Sequence, residues 1–340
     1  MKLFLPFLSA AFILSGCVQP KAALPTNAEP VILENNAQDA SAVPDVQVID
    51  QPHPVSLQAF AQKAFDGGDL TLGQVLDKNS AYTRYYIIYR SGKLNISGIM
   101  NVPNGEGPFP VLILNHGHID TNIYTNGRGL KREQDYLARR GYVVLHSDYR
   151  NHADSDTDDQ NEYNFRFGYS EDVINAVLAV RNSTLPYFDK ENIGMLGHSM
   201  GGGVAQNIMV TQPGLVKAYV LFAPVSTDYA DNFERWTKRN SDVAQEITRR
   251  YGTPTSSPEF WKNISPINFL QSVTEPVHIH HGTADESVPL EWSERTAQAL
   301  KAAGKDVELF VYESEPHEFI NAWPRVMQRV TEFFDQQLKR

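Results

Sequence analysis

Short apolar runs punctuate the chain, and segments with a helical period separate them. Val111–Leu114, Tyr142–His146, Ile193–Leu196, Ala218–Phe222, Val277–His280 and Val307–Val311 are each four or five residues long. Runs of this kind suit strands that are covered on both faces. Ahead of them, Tyr82–Tyr89 and Leu94–Val102 are rich in β-branched and aromatic residues and are joined by Ser91-Gly92-Lys93, which predicts a hairpin. The stretch from Ser56 to Lys78 reads as a short helix followed by a break at Gly67-Gly68. Gly168–Arg181 predicts a helix with Ser170 as its N-cap, Glu171 and Asp172 in its first turn, and Val173, Val177 and Val180 on one face. Met327, Val330, Phe334 and Leu338 predict a closing amphipathic helix. Alternation of this sort argues for a mostly parallel sheet with helices on both faces. Chemistry then collects at the carboxyl ends of the strands.

The first sixteen residues depart from that pattern. Lys2 is followed by an apolar stretch through Leu14, too short to span a bilayer as an ordinary helix and typical of a secretory leader. It ends Leu14-Ser15-Gly16-Cys17, which resembles the bacterial lipobox, where the cysteine thiol takes a diacylglycerol. Anchoring by more than one acyl chain exceeds the marginal single-chain case. Val18 rather than Asp after the cysteine points, by that resemblance, to the outer membrane. Residues 17–55 are rich in Pro, Ala, Asn, Gln and Asp without a period, and read as a tether. The expected organisation is a leader over 1–16, a lipidated tether over 17–55, and a catalytic domain over 56–340.

Composition narrows the partners. The 340 residues carry 30 Lys+Arg against 40 Asp+Glu, for a net charge of −10. Nucleic-acid binding needs clustered positive charge, so no nucleic-acid partner is expected. One cysteine excludes an internal disulfide framework.

Candidate chemistry sits at the ends of the predicted strands. Ile193–Leu196 runs into Gly197-His198-Ser199-Met200-Gly201-Gly202-Gly203, a G-x-S-x-G sequence between strand and helix. Ser199 must adopt a strained backbone to project its hydroxyl, so its neighbours two positions away must lack bulk. The helix start aims N–H groups at a developing oxyanion, with the Met200 N–H as first donor. A serine needs a base and an orienting acid. Asp285 follows the strand Val277–His280, and His317 follows the strand Val307–Val311, in the order serine, acid, histidine. Glu286 and Glu315 are the rival carboxylates. Asn115-His116-Gly117-His118 follows the strand Val111–Leu114 and offers a second oxyanion donor, the His118 N–H.

From about Tyr82 to Arg340 the chain resembles the catalytic domain of the prolyl oligopeptidase family, within the α/β-hydrolase superfamily. The residues that carry this are His116-Gly117, Asp148-Tyr149-Arg150, Gly197–Gly201, Gly282-Thr283-Ala284-Asp285 with Val288-Pro289, and His317. The resemblance implies an α/β-hydrolase fold, here a mostly parallel eight-stranded sheet with a small helical cap over 223–276. It implies Ser199 as nucleophile, Asp285 as orienter and His317 as base, with no metal or organic cofactor. Some family peptidases place an oxyanion tyrosine where His116 stands, which makes Tyr124 a further candidate. The cap aromatics Tyr229 and Trp236, with His116 and Tyr124, are candidate pocket residues. No β-propeller is expected ahead of the domain, which shifts the expected substrate from a peptide-like acyl bond toward a small ester; a peptidase acting on short peptides is the alternative.

Two other classes share features with this chain. His116-x-His118-x-Asp120 resembles the opening of a metal-dependent hydrolase signature, but position 121 is Thr where a histidine is needed. A binding lipoprotein that keeps the fold without reacting is opposed by the complete serine, acid and histidine set. Asp154-Ser155-Asp156-Thr157-Asp158-Asp159 lacks the Gly and Glu of a calcium loop and reads as a solvated acidic loop.

Overall fold

The computed structural model describes residues 51–339. The expected leader, Cys17 and most of the tether lie outside the described residues. Residues 51–55 are described, and His53 sets its ring edge-on to Tyr251 and Phe260 at 5.7 and 5.0 Å.

Among the described residues the sheet has nine strands, not eight. They are β1 (Gly68–Lys78), β2 (Tyr82–Ser91), β3 (Leu94–Pro103), β4 (Phe109–Asn115), β5 (Val143–Ser147), β6 (Phe188–His198), β7 (Tyr219–Phe222), β8 (Val277–Gly282) and β9 (Val307–Tyr312). Their spatial order is β1-β2-β3-β5-β4-β6-β7-β8-β9. From β5 to β9 neighbouring strands are parallel, while β1, β2 and β3 join antiparallel. The predicted hairpin is present, with Ser91 facing Leu94 and Gly92 at φ 59° in the connection. The extra strand is β1. It is an edge strand whose second half is exposed on both faces, so it lacks the apolar run that identifies the others.

Helices cover both faces. One layer holds α3 (Phe167–Asn182) and α4 (Met200–Thr211) against Val111, Ile113, Val143 and Leu145. The other holds α2 (Lys131–Ala138) and α9 (Trp323–Leu338) against Leu112, Leu114, Val144 and Leu196. The four predicted core residues of α9, Met327, Val330, Phe334 and Leu338, are all buried. A short α1 (Leu57–Gln62) is capped by Ser56, whose hydroxyl accepts from the Ala59 N–H.

Ser170 is not the N-cap of α3. That helix starts three residues earlier, after Phe165 and Arg166, both left-handed at φ 55° and 58°. Asp172, expected as a first-turn dipole partner, is instead fully buried and pairs with Arg150 at 2.8 Å. Glu171 and Asp158 also reach Arg150, and this cluster ties the acidic loop to α3.

The segment 223–276 is helical, as expected: α5 (Tyr229–Arg235), α6 (Ser241–Tyr251) and α7 (Pro258–Asn263) with three short 3₁₀ turns. Its aromatics gather around Phe165, with Tyr229, Tyr251, Phe260 and Trp261 at 5.3–5.9 Å between ring centres. After it come β8, α8 (Leu290–Ala302) and β9.

Candidate active site

Strand β6 and helix α4 meet at Ser199 with almost no connection. The serine sits at φ 56°, ψ −118°, a combination that side chains avoid unless their surroundings impose it. Its N–H donates to the Phe222 carbonyl at 2.9 Å, and its carbonyl accepts from Gly203 and Val225. Glycine is required on each side. A Cβ on Gly201 would fall 2.1 Å from the Asn115 carbonyl oxygen, and one on Gly197 would fall 2.3 Å from that of Gly201. The strained turn lifts Ser199 above the sheet and sets it at the start of α4. The first N–H groups of a helix have no carbonyl within the helix to accept them, the Met200 N–H among them.

Ser199 and His317 line one open cavity of about 420 Å³. Gly117, His118, Ile119, Leu130, Phe222, Phe319 and Ile320 contribute to its wall, as do Lys131 and Arg132 from the start of α2. Gly117 makes the closest approach: a Cβ there would lie 3.2 Å from Ser199 Cβ. His118 stands exposed at the rim. Partial desolvation of its ring, together with the Arg166 charge, holds its pKa below the usual histidine range.

His317 reaches the cavity from the loop after β9. Its Nδ1 lies 2.7 Å from Asp285 Oδ2. A carboxylate only accepts, so Nδ1 carries the hydrogen and Nε2 is left as the basic nitrogen. Asp285 lies behind His317, its side chain fully buried. Burial alone would push its pKa up, but the neighbouring His281, the hydrogen-bonded His317 and the Val288 N–H hold it well below the usual carboxylate range. The rival carboxylates stand elsewhere. Glu286 is exposed, and buried Glu315 accepts from the Ile320 and Asn321 N–H groups at 2.6 and 3.0 Å, bracing the loop that carries His317.

Two further residues hold that loop, and neither stood out in the sequence. His198 Nε2 donates to the His317 carbonyl at 3.2 Å, with the two rings 4.5 Å apart. Burial, then repulsion from His317, lowers its pKa to about 3, so it is neutral. Arg132 donates to the Glu318 carbonyl at 2.7 Å and stacks on Trp323. His198 could have been suspected from its place beside the serine. Arg132 could not, because its partners are carbonyls almost two hundred positions away.

The four candidate pocket residues do not line this cavity. His116 is fully buried, stacked on Tyr149 at 4.3 Å, with Nδ1 2.7 Å from the Gly117 carbonyl and Nε2 3.3 Å from that of Asp148. Burial lowers its pKa to about 3. Buried Tyr124 donates to Asp148 Oδ1 at 2.8 Å. Tyr229 bonds with Asn207 on α4, and Trp236 packs edge-on against Trp292 at 5.4 Å. The metal alternative fares no better on geometry. His116 has both nitrogens against carbonyls, and Asp120 accepts from Asn122 in a local turn. Among the described residues no group of three His, Cys, Asp or Glu side chains is placed to hold a metal ion.

The model of the prolyl oligopeptidase family matches residues 128–340. The uncharacterized peptidase YtmA of Bacillus subtilis is 24% identical over 257 residues, 75% of this chain and 93% of that protein. Acetyl xylan esterase 1 from Thermoanaerobacterium sp. is similar in structure, with a TM-score of 0.63 at 17% identity over 80% of this chain and 90% of that one. Dipeptidyl peptidase 4 of Porphyromonas gingivalis gives a TM-score of 0.60 at 22% identity, over 76% of this chain but 36% of that one. Both structural likenesses are likenesses of fold: nine mostly parallel strands with helices on both faces form an α/β-hydrolase.

Proposed function

Since the chain belongs to the prolyl oligopeptidase family and is a serine hydrolase, we propose that it cleaves small carboxylic esters with Ser199 as nucleophile, His317 as base and Asp285 as orienting acid. In this reading His317 Nε2 takes the Ser199 proton as Oγ attacks the acyl carbon. Asp285 keeps the imidazole in the right tautomer and stabilises its charged form. The Met200 N–H, with that of His118, receives the tetrahedral oxyanion. Collapse expels the alcohol with a proton returned by His317, and water activated by the same histidine releases the acid.

The observation that carries the reading is the strained backbone of Ser199 at φ 56°, in one cavity with a histidine hydrogen-bonded to a buried aspartate. The lean toward esters is supported by the acetyl xylan esterase, which this chain parallels over most of both lengths. A second reading, a peptidase acting on short peptides, is favoured by the likeness to YtmA over 93% of that protein.

Ser199→Ala should abolish both turnover of a p-nitrophenyl ester and labelling by a fluorophosphonate. Persistence of both would sink the assignment, whereas loss of activity on chelation would favour a metal. A paired screen of graded acyl esters against short peptidyl amides separates the two substrate readings, and activity confined to amides overturns the ester lean. We further propose, from the resemblance of Leu14-Ser15-Gly16-Cys17 to a lipobox, that the enzyme is held at a bacterial outer membrane by lipid on Cys17. Cys17→Ser should then move it from the detergent phase to the aqueous phase on partitioning.

A further inference from the structure

Asp285 is held by more than the histidine it faces. Its Oδ1 accepts from the Ser287 and Val288 N–H groups, both at 2.8 Å. Its Oδ2 lies 2.7 Å from His317 Nδ1 and 3.1 Å from Nε2 of a second histidine, His281. His281 stands at the end of β8 and is fully buried. The same Nε2 lies 3.0 Å from the Val288 carbonyl, and Nδ1 lies 2.7 Å from Ser293 Oγ on α8. Carbonyl and carboxylate oxygens only accept, so Nε2 carries the hydrogen. In a neutral ring Nδ1 then accepts, and the Ser293 hydroxyl is its donor. Ser293 is also fully buried. The one Nε2 hydrogen is aimed at the Val288 carbonyl with Asp285 Oδ2 beside it at 3.1 Å, so polar contacts run without a break from α8 through His281 and Asp285 to His317.

We propose that His281, its ring held in place by Ser293, is a positioning residue for the reaction: it aims the Asp285 carboxylate at His317 and shares its negative charge. This rests on the reading of Ser199, His317 and Asp285 as the reacting set. Fastening the loop does not by itself account for the contact. Arg235 already donates to the Ser287 and Glu286 carbonyls at 2.8 and 3.1 Å, and the Ala284 N–H donates to Glu315 at 3.0 Å. His281 instead meets the oxygen that His317 uses. The two histidines together oppose burial in keeping Asp285 ionised.

The charge around the base comes from few groups. Asp285 and His198 face the His317 ring, Glu318 follows it in the chain, and His118, Lys131, Arg132 and Glu133 line the same cavity. Replacing His281 alters the Asp285 charge and leaves the others in place. His281→Leu removes the Nε2 donor, and the less compensated carboxylate then favours the protonated form of the base. We expect kcat to fall about 10-fold or more, short of the ~10⁴-fold that loss of the orienting acid costs. KM should change little, and the acid limb of the kcat/KM profile should move to higher pH. His281→Gln, which keeps an N–H at the Nε2 position, should recover most of kcat, and Ser293→Ala should move the limb in the same direction but less. A folded His281→Leu protein with wild-type kcat, or with an acid limb unmoved or moved to lower pH, overturns the proposal. Should His281→Leu fail to fold, Ser293→Ala decides, and a wild-type limb there overturns it equally. If Ser199→Ala is inactive while His281→Leu behaves as wild type, this inference alone fails; activity in Ser199→Ala removes the functional reading beneath it.

Discussion

Ser199 shows how much a site can depend on residues that do no chemistry. Its backbone is tolerable only because Gly197 and Gly201 let β6, α4 and β4 come within touching distance. Gly201→Ala would drive a methyl into the Asn115 carbonyl, which is backbone and cannot swing aside. We expect a loss of about 3 kcal/mol or more, with fluorophosphonate labelling reduced in step. Chemical denaturation alongside labelling measures both. Asp285→Asn is the contrasting case. The loop keeps its shape, but an amide that donates toward Nδ1 favours the wrong tautomer, and kcat should fall by ~10⁴ with the fold intact. At this scale much was legible. The glycine spacing, the serine, and the order of acid and base can be read from the chain, because strand-end loops repeat that order. Which of Asp285, Glu286 and Glu315 faces His317 could not be read, since adjacent carboxylates differ only in where the turn points them.

Among the elements, legibility followed burial. Strands β4 to β8 announce themselves as apolar runs because both faces are covered. Edge strand β1 has little to bury and leaves no such trace. Helix α9 is legible for the same reason as the inner strands. Phe334 is fully buried between Tyr142 and Phe333, and Phe334→Ala should cost about 3–5 kcal/mol, seen as a lower urea midpoint. Helix α3 misled because its apparent cap, Ser170, lies inside the helix and meets α4 through Asn207. Asp172, beside it, is committed to Arg150 across a distance that no local pattern encodes. Asp172→Leu leaves the Arg150 guanidinium in a buried site with only Asp158 and Glu171 nearby. A cost of about 3–5 kcal/mol is expected, far above that of removing an exposed pair such as Lys238 and Glu234.

Across the whole molecule, the buried histidines govern the response to acid. Burial lowers the pKa of His116 and His198 to about 3 and of His278 to about 4, and His146 and His280 also lie below the usual value of 6.5. Below that value the unfolded chain takes up protons that the folded one refuses, so stability falls as pH drops from about 6.5 toward 4. Asp285 acts with the opposite cause and in a more acid range. Its lowered native pKa contributes stability at neutral pH, which is lost only as pH falls from the ordinary carboxylate range through the native value. Melting temperature against pH should therefore begin to decline near pH 6.5, above the ordinary carboxylate range. Both ring nitrogens of His146 are buried without a hydrogen-bond partner, so His146→Leu should raise the melting temperature and flatten that decline. An unchanged slope would rule out His146 as a contributor.

The division between chain and fold follows from range. Periodicity, glycine spacing and strand-end chemistry are local, and they suffice for an α/β-hydrolase with a serine on a tight turn, because each is enforced by contacts a few residues away or by simple burial. The pocket wall is not local. The sequence's four candidates for it are packed elsewhere, while Arg132, His198 and the carbonyls of the His317 loop meet only once α2, β6 and β9 are brought together. His281 and Ser293 lie close to Asp285 in the chain, yet each is an ordinary strand or helix residue until packing of β8 against α8 buries their side chains with that of Asp285, where a polar contact meets no competition from water.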